Sequence, residues 1–333
     1  MSRSKRVRAL SPEEERDEEE EREEVALGRY KKCYPIGQGA YAYVYFAKDL
    51  ENNNSPVVLK VVMSKPREED GVSTSSWREI SVLKALVHSP HVVKLMDVGT
   101  KPFRKITLVL ESMECDLAKY IASNRLAPHT VRYIIRQVLL GAQAVHTLWY
   151  FHRDLKPSNI LINCSSLETK LADFGLACEY TPNRKNTLLV GTLPYRSPDV
   201  WMGNKQYTRA IDMWAVGCIF GEMHTRRPLF LGTNWGAEED VPPTLCGNLR
   251  KYGHWIDQLT AVFAKLGTPK TIEGCAMYCS ELFPQWPHPC RKNLLAPGCE
   301  PLAFDLMRRM LAINFSERIT AKQALEHEYF KGT

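Results

Sequence analysis

Within residues 151–162, FHRDLKPSNILI, an aspartate, a lysine and an asparagine (Asp154, Lys156 and Asn159) stand close together. The stretch then runs into apolar residues that read as a short strand. Just beyond it comes Asp173-Phe174-Gly175. A carboxylate in a loop, an amide soon after it and a second carboxylate ahead of a glycine are the side chains that phosphoryl transfer requires. One acid orients a hydroxyl, and the other holds Mg²⁺ together with the amide.

Residues 30–49 alternate as a strand pair around the turn Gly37-Gln38-Gly39, and the second arm is rich in aromatic and branched side chains. Glycines in such a turn let backbone N–H groups approach phosphate oxygens. A third strand is expected at 56–63, PVVLKVVM, where Lys60 interrupts an apolar run and calls for an anionic partner. Residues 77–87 carry apolar side chains at helical spacing, with Glu79 near the start. Two more strands are expected at 92–98 and 106–111.

From Asp116 onward the pattern is mostly helical. Val131, Ile134, Ile135, Val138, Leu139, Ala142 and Val145 repeat at threes and fours, and 211–223 is apolar on every face, as a buried helix is. Further helices are expected near 256–266, 302–311 and 320–327. No strong period runs through 231–253, which reads as a loop insertion.

The 333 residues are 44% hydrophobic and 25% charged, enough for two packed lobes. No apolar run reaches the ~18 residues of a membrane span, and no secretory-type apolar core opens the chain. The expectation is an intracellular protein of nucleus and/or cytoplasm, without membrane association. Residues 1–24 carry six basic and ten acidic side chains, a local balance of −4 against a net +6, which leaves the rest at +10. Such a body suits an anionic ligand or an acidic partner. No basic stripe interleaved with aromatics points to nucleic acid. The tail 1–25 lacks aromatic residues and is expected to be disordered. Its basic cluster (Arg3, Lys5, Arg6, Arg8) reads equally as a nuclear-import signal or as a solvated charge run. Cys275, Cys279, Cys290 and Cys299 lack knuckle spacing at both ends and read as scattered thiols rather than a zinc site.

In combination, GQGAYAYV (37–44), VVLK (57–60), Glu79, HRDLKPSN (152–159) and DFG (173–175) closely resemble the eukaryotic protein kinase family. The resemblance spans about 30–330. It implies an α+β bilobal protein kinase fold: a small five-stranded β lobe with one helix (30–113) and a larger, mainly helical lobe (114–330). Ala42 stands where the family has its third glycine. SPD (197–199) stands for the family's APE, with Arg318 as the matching partner of Asp199, and Asp212 matches the acid that braces the catalytic loop. REISVLK (78–84), TLPYRSP (192–198), DMWAVGCIFGEM (212–223) and DQLTAVFAKLGTP (257–269) are similar to cyclin-dependent kinases in particular.

That resemblance implies a serine/threonine kinase using ATP and Mg²⁺. Asp154 would orient the substrate hydroxyl and Lys156 would stabilise the transferring group. Asn159 and Asp173 would hold Mg²⁺, and Lys60, held by Glu79, would contact phosphate oxygens. ATP would also meet Ile36, Gly37, Gln38, Gly39, Val44, Val58, Glu111, Met113 and Leu161, with Leu110 guarding the back pocket. Thr187 matches the activating phosphorylation site, with Arg78 and Arg153 as phosphate receivers; the third receiver is Cys178 here. Tyr41 matches an inhibitory tyrosine, while Ala40 replaces its threonine neighbour. Gly191 and Arg196 resemble the arrangement that selects proline after the acceptor, so Ser/Thr-Pro protein substrates are expected. A cyclin-like activator would bind the 77–87 helix, where STSSW replaces the family's usual sequence. The alternatives are a partner-independent kinase-activating kinase and, disfavoured by the full set of catalytic residues, a pseudokinase scaffold.

Overall fold

Branched and aromatic residues in alternation produce the first sheet. Its strands are β1 (Val25–Ala26), β2 (Tyr30–Gln38), β3 (Ala42–Asp49), β4 (Ser55–Met63), β5 (Leu95–Lys101) and β6 (Lys105–Glu111), all paired antiparallel in the order β1-β2-β3-β4-β6-β5. This computed structural model describes residues 25–38, 42–63, 74–101, 105–181, 186, 190–232, 253–275, 281, 283, 285 and 299–331. The charged tail and nearly all of 231–253 therefore lie outside the described residues.

Two features of the sheet differ from expectation. The strand β1 extends the expected five to six: Leu27 and Gly28, both at positive φ, turn the chain so that Ala26 pairs with Tyr30. Two residues carry too little pattern to be read from sequence. The strand expected at 92–98 begins only at Leu95. Val92 instead bridges Leu171 in parallel, and Val93 N–H donates to the Leu171 carbonyl at 2.9 Å. Both valines are buried, so the start of this apolar run packs beside Leu171 instead of pairing in the first sheet.

Period-two alternation sorts the faces of β4. Val57 and Leu59 join Ala26, Tyr30, Ala47 and Val109 in the sheet's core. Val58 and Lys60 therefore point to the opposite face, across from Leu110 and Val44 on the neighbouring strands.

The remaining elements are α1 (Thr74–Ala85), β7 (Cys115–Asp116), α2 (Leu117–Ser123), α3 (Pro128–Thr147), β8 (Tyr150–Phe151), β9 (Ile160–Ile162), β10 (Thr169–Leu171), β11 (Cys178–Glu179), α4 (Pro198–Trp201), α5 (Ala210–Thr225), α6 (Gly253–Leu266), α7 (Pro301–Met310) and α8 (Ala321–Leu325). Chain contacts gather into two compact units, Met1–Ile80 with Lys94–Ser112, and Ser81–Val93 with Met113–Thr333. The first is sheet-rich and the second mainly helical. In the second, the seven apolar residues read at helical spacing on α3 are all buried, and α5 is buried from Ala210 to Met223. Except for β7, the strands of the small sheets β10-β9-β7 and β11-β8 lie between these helices in sequence, and the loop holding Asp154 and Asn159 runs from β8 to β9. No helix among the described residues is long and apolar enough to cross a membrane.

Candidate active site

The pairing of β8 with β11 sets the start of a loop that runs through His152, Arg153 and Asp154. Pro157 then opens a 3₁₀ turn, Pro157–Asn159, and Asn159 N–H closes it on the Lys156 carbonyl at 2.9 Å. The turn brings Asn159 back to Asp154. Its amide nitrogen donates to the Asp154 carbonyl at 2.8 Å and to Asp154 Oδ2 at 3.2 Å. Lys156 Nζ lies 3.0 Å from the same Oδ2. The other oxygen, Asp154 Oδ1, accepts from Thr192 N–H at 2.9 Å and from Thr192 Oγ1 at 2.8 Å. Lys156 also donates to Thr192 Oγ1 at 3.0 Å. Asp154, Lys156, Asn159 and Thr192 thus form one connected, largely buried polar cluster.

The loop is braced from beneath by Asp212, in the first turn of α5. One of its oxygens accepts the Arg153 N–H at 2.9 Å; the other accepts the His152 N–H at 2.9 Å and His146 Nε2 at 2.8 Å. Burial alone drives a carboxyl upward, but the hydrogen bond from His146 and these further contacts hold Asp212 below the ordinary carboxylate value. His152 is fixed as well. Its Nδ1 accepts Asp154 N–H at 3.3 Å, so the ring proton sits on Nε2, which faces the Ala172 carbonyl at 3.0 Å. Its ring packs on Phe174, with centroids 4.7 Å apart. Arg153 and Asp173 both take positive φ, +69° and +62°. Such strain in non-glycine residues concentrates at sites where the surroundings impose geometry.

Asn159 spends its amide nitrogen on Asp154, so its oxygen is the atom left to face a cation. An amide oxygen with the Asp173 carboxylate is a hard donor pair, suited to Mg²⁺, which completes its shell with water and phosphate oxygens.

In the first unit, Lys60 Nζ sits 2.8 Å from both oxygens of Glu79, itself buried on α1. The strands place Val44, Val58 and Lys60 on one face of the sheet. Gly37 and Gln38 end β2, Ile36 is exposed there, and Glu111 ends β6. The other two residues expected to meet ATP, Met113 and Leu161, belong to the second unit, with Leu161 central in β9. Gly39, Tyr41 and Thr187 lie outside the described residues.

Arg196 donates from Nε to the Val190 carbonyl at 2.9 Å and from a terminal nitrogen to the Gly191 carbonyl at 2.6 Å, and its guanidinium lies 4.3 Å from the Trp201 ring centre. Burial brings it down to about 10, against the pull of Asp154, so it stays charged near neutral pH. Gly191 has φ +83°, a conformation that glycine reaches without strain. Of the two residues expected to receive a phosphate, Arg78 is on α1. Arg153 donates to the Leu176 carbonyl at 2.6 Å and the Tyr207 hydroxyl at 3.0 Å. Cys178, at the third position, is buried. Arg318 meets Asp199 at 2.7 Å with both side chains fully buried, and also donates to the Ala210, Ala312 and Ile313 carbonyls.

Residues 30–330 match the protein kinase domain family model. The chain is a protein kinase. It is also 36% identical over 308 residues to cyclin-dependent kinase D-1 of Arabidopsis thaliana, a match covering 91% of this chain and 71% of that one. The kinase is thus similar to cyclin-dependent kinases along nearly its whole length. Its family uses ATP as phosphate donor. Two residues of the cluster and its brace, Thr192 and His146, are not evident from sequence pattern alone. Thr192, within TLPYRSP, has no role legible in sequence, because nothing local says that its hydroxyl turns onto Asp154. His146 sits four residues after Ala142 on the buried stripe of α3. A polar side chain there requires a buried partner, and that was the available signal.

Proposed function

We propose that the kinase transfers the γ-phosphate of ATP to serine or threonine followed by proline in protein substrates, under control of a cyclin-type partner. The observation that carries the chemistry is the Asp154–Lys156–Asn159–Thr192 cluster. Asp154 is held by Thr192 and Asn159 so that its carboxylate accepts the proton of an incoming hydroxyl. Lys156, beside it, offsets charge gathering on the transferring phosphoryl group. Asn159 and Asp173 are the residues that would hold Mg²⁺, which supplies charge neutralisation to the phosphates. Lys60, fixed by Glu79, is the donor to phosphate oxygens, with Val44 and Val58 on the same face as apolar contacts for the base.

Selection of proline follows from Gly191. Its carbonyl is taken by Arg196, so a substrate N–H arriving there would go unpaired, at a cost of about 1–3 kcal/mol. Proline has no N–H to strand. Paired peptides with proline or alanine after the acceptor test this. A clear preference in kcat/KM for the proline peptide is expected, and equal rates would refute the selection.

The partner surface is α1, where Trp77 is 56% exposed. The relative's description as a cyclin-dependent kinase supports this reading. A second reading, a kinase that acts alone, is favoured by Lys60 meeting both Glu79 oxygens within one chain. Phosphotransfer by the purified chain with and without added cyclin-type protein separates the two. Full activity of the chain alone would establish the second.

A further inference from the structure

Two cysteines outside the catalytic cluster lie in sulfur–sulfur contact. Cys115 Sγ and Cys164 Sγ are 3.4 Å apart, and both are free thiols. Among the described residues no other two cysteines meet. Their placement is fixed by the chain on both sides. β7 pairs with β9 through Cys115 and Ile162, which sets Cys164 two residues past Cys115's cross-strand partner. Glu114 clamps the far end: its N–H donates to Asn163 Oδ1 at 3.2 Å, and its carboxylate accepts the Cys164 N–H at 2.9 Å. The two thiols therefore meet on a preformed frame. They also differ in setting. Cys164 is exposed, whereas Cys115 is half-buried. Burial first, and then the hydrogen bond with Cys164, push Cys115 up to about 12, so Cys115 keeps its proton at neutral pH.

We propose that Cys115 and Cys164 are a redox modification site, closing to a reversible disulfide on reaction with a hydroperoxide. The Cys164 thiolate attacks the peroxide O–O bond, forming a sulfenic acid and expelling hydroxide, or alkoxide from an organic peroxide. Cys115 sulfur then displaces the hydroxyl from Cys164 sulfur. Its proton leaves with that hydroxyl as water, and the S–S bond forms. The two electrons given up by the thiol pair are those that reduce the peroxide. A disulfide needs about 2.05 Å between sulfurs, so the two sulfurs, 3.4 Å apart, approach further as the bond forms. The exposed sulfur takes the oxidant and the half-buried sulfur resolves it.

The test uses the full-length, fully reduced protein. It is treated with hydrogen peroxide, its remaining thiols are alkylated, and it is digested without reductant. A peptide linking Cys115 to Cys164, lighter than the reduced pair by two hydrogens, is expected at a dose that leaves the exposed Cys33 alkylatable. Dithiothreitol should return both thiols. Cys115→Ser should leave Cys164 as a sulfenic acid that a cyclic diketone traps. Cys164→Ser should leave Cys115 alkylatable at the same dose. Thermal melts of both variants confirm the fold, and serine differs from cysteine by one atom. Oxidation of Cys164 to the sulfinic acid without the linked peptide, or linkage of either cysteine elsewhere, overturns the proposal.

Discussion

Thr192→Val isolates one hydroxyl in the site. Valine keeps the β-branched shape and the backbone N–H, so the bond from Thr192 N–H to Asp154 Oδ1 survives. Two contacts go: Thr192 Oγ1 to Asp154 at 2.8 Å and Lys156 Nζ to Thr192 Oγ1 at 3.0 Å. Neither charge is stranded, because Lys156 still lies 3.0 Å from Asp154 Oδ2. The loss is then that of one hydrogen-bonded unit between charged groups, about 1.5–3 kcal/mol. With each ~1.36 kcal/mol worth tenfold in rate, kcat/KM should fall roughly 10- to 150-fold. The side chain is only half-buried, so the melting temperature should stay near that of the parent. The assay is initial-rate transfer from ATP to a Ser-Pro peptide, with Thr192→Ser as control at close to parent activity. A Thr192→Val enzyme within twofold of the parent, or one as impaired as its serine counterpart, would refute the reasoning that this hydroxyl orients the catalytic carboxylate.

Arg318→Ala should destabilise the protein by about 3–5 kcal/mol, because it leaves the fully buried Asp199 charge unpaired; denaturant unfolding reads the change. Asp212 is held below its ordinary value near 3.8. It therefore contributes stability above that pH and loses it as pH falls through the lower, folded value. Asp212→Asn should be less stable at neutral pH and lose less on acidification below about pH 4, as followed by melts across pH. Thr187→Ala should lower activity in a preparation phosphorylated at Thr187. The fall should be modest, because Arg153 is already engaged by the Tyr207 hydroxyl and the Leu176 carbonyl; a mutant equal to the phosphorylated parent would remove Thr187 from the mechanism.

Local chemistry was legible before the fold was known. The loop bearing Asp154 and Asn159 closes on itself within a few residues, so its meaning lies in adjacent letters. The apolar stripe of α3 was equally plain, since helical spacing and burial are the same fact seen twice. What stayed hidden depends on residues distant in the chain. Thr192 reaches Asp154 across 38 positions and His146 reaches Asp212 across 66, and neither distance leaves a local pattern. Val92 and Val93 look like the start of a strand because a branched apolar pair suits a sheet and another core alike. Cys115 and Cys164 are ordinary as single letters and become a pair only through the register of β7 on β9.

The close passage of Gly191 beside the catalytic loop has an implication for redesign. A β-carbon built at position 191 would fall 2.8 Å from the carbonyl oxygen of Arg153, a residue whose backbone is itself strained. Any side chain there would push on the peptide that precedes Asp154. Under the proposed selection of proline, a substitution at position 191 that altered it would therefore also disturb turnover. New selectivity is more safely sought at positions that do not press on this peptide.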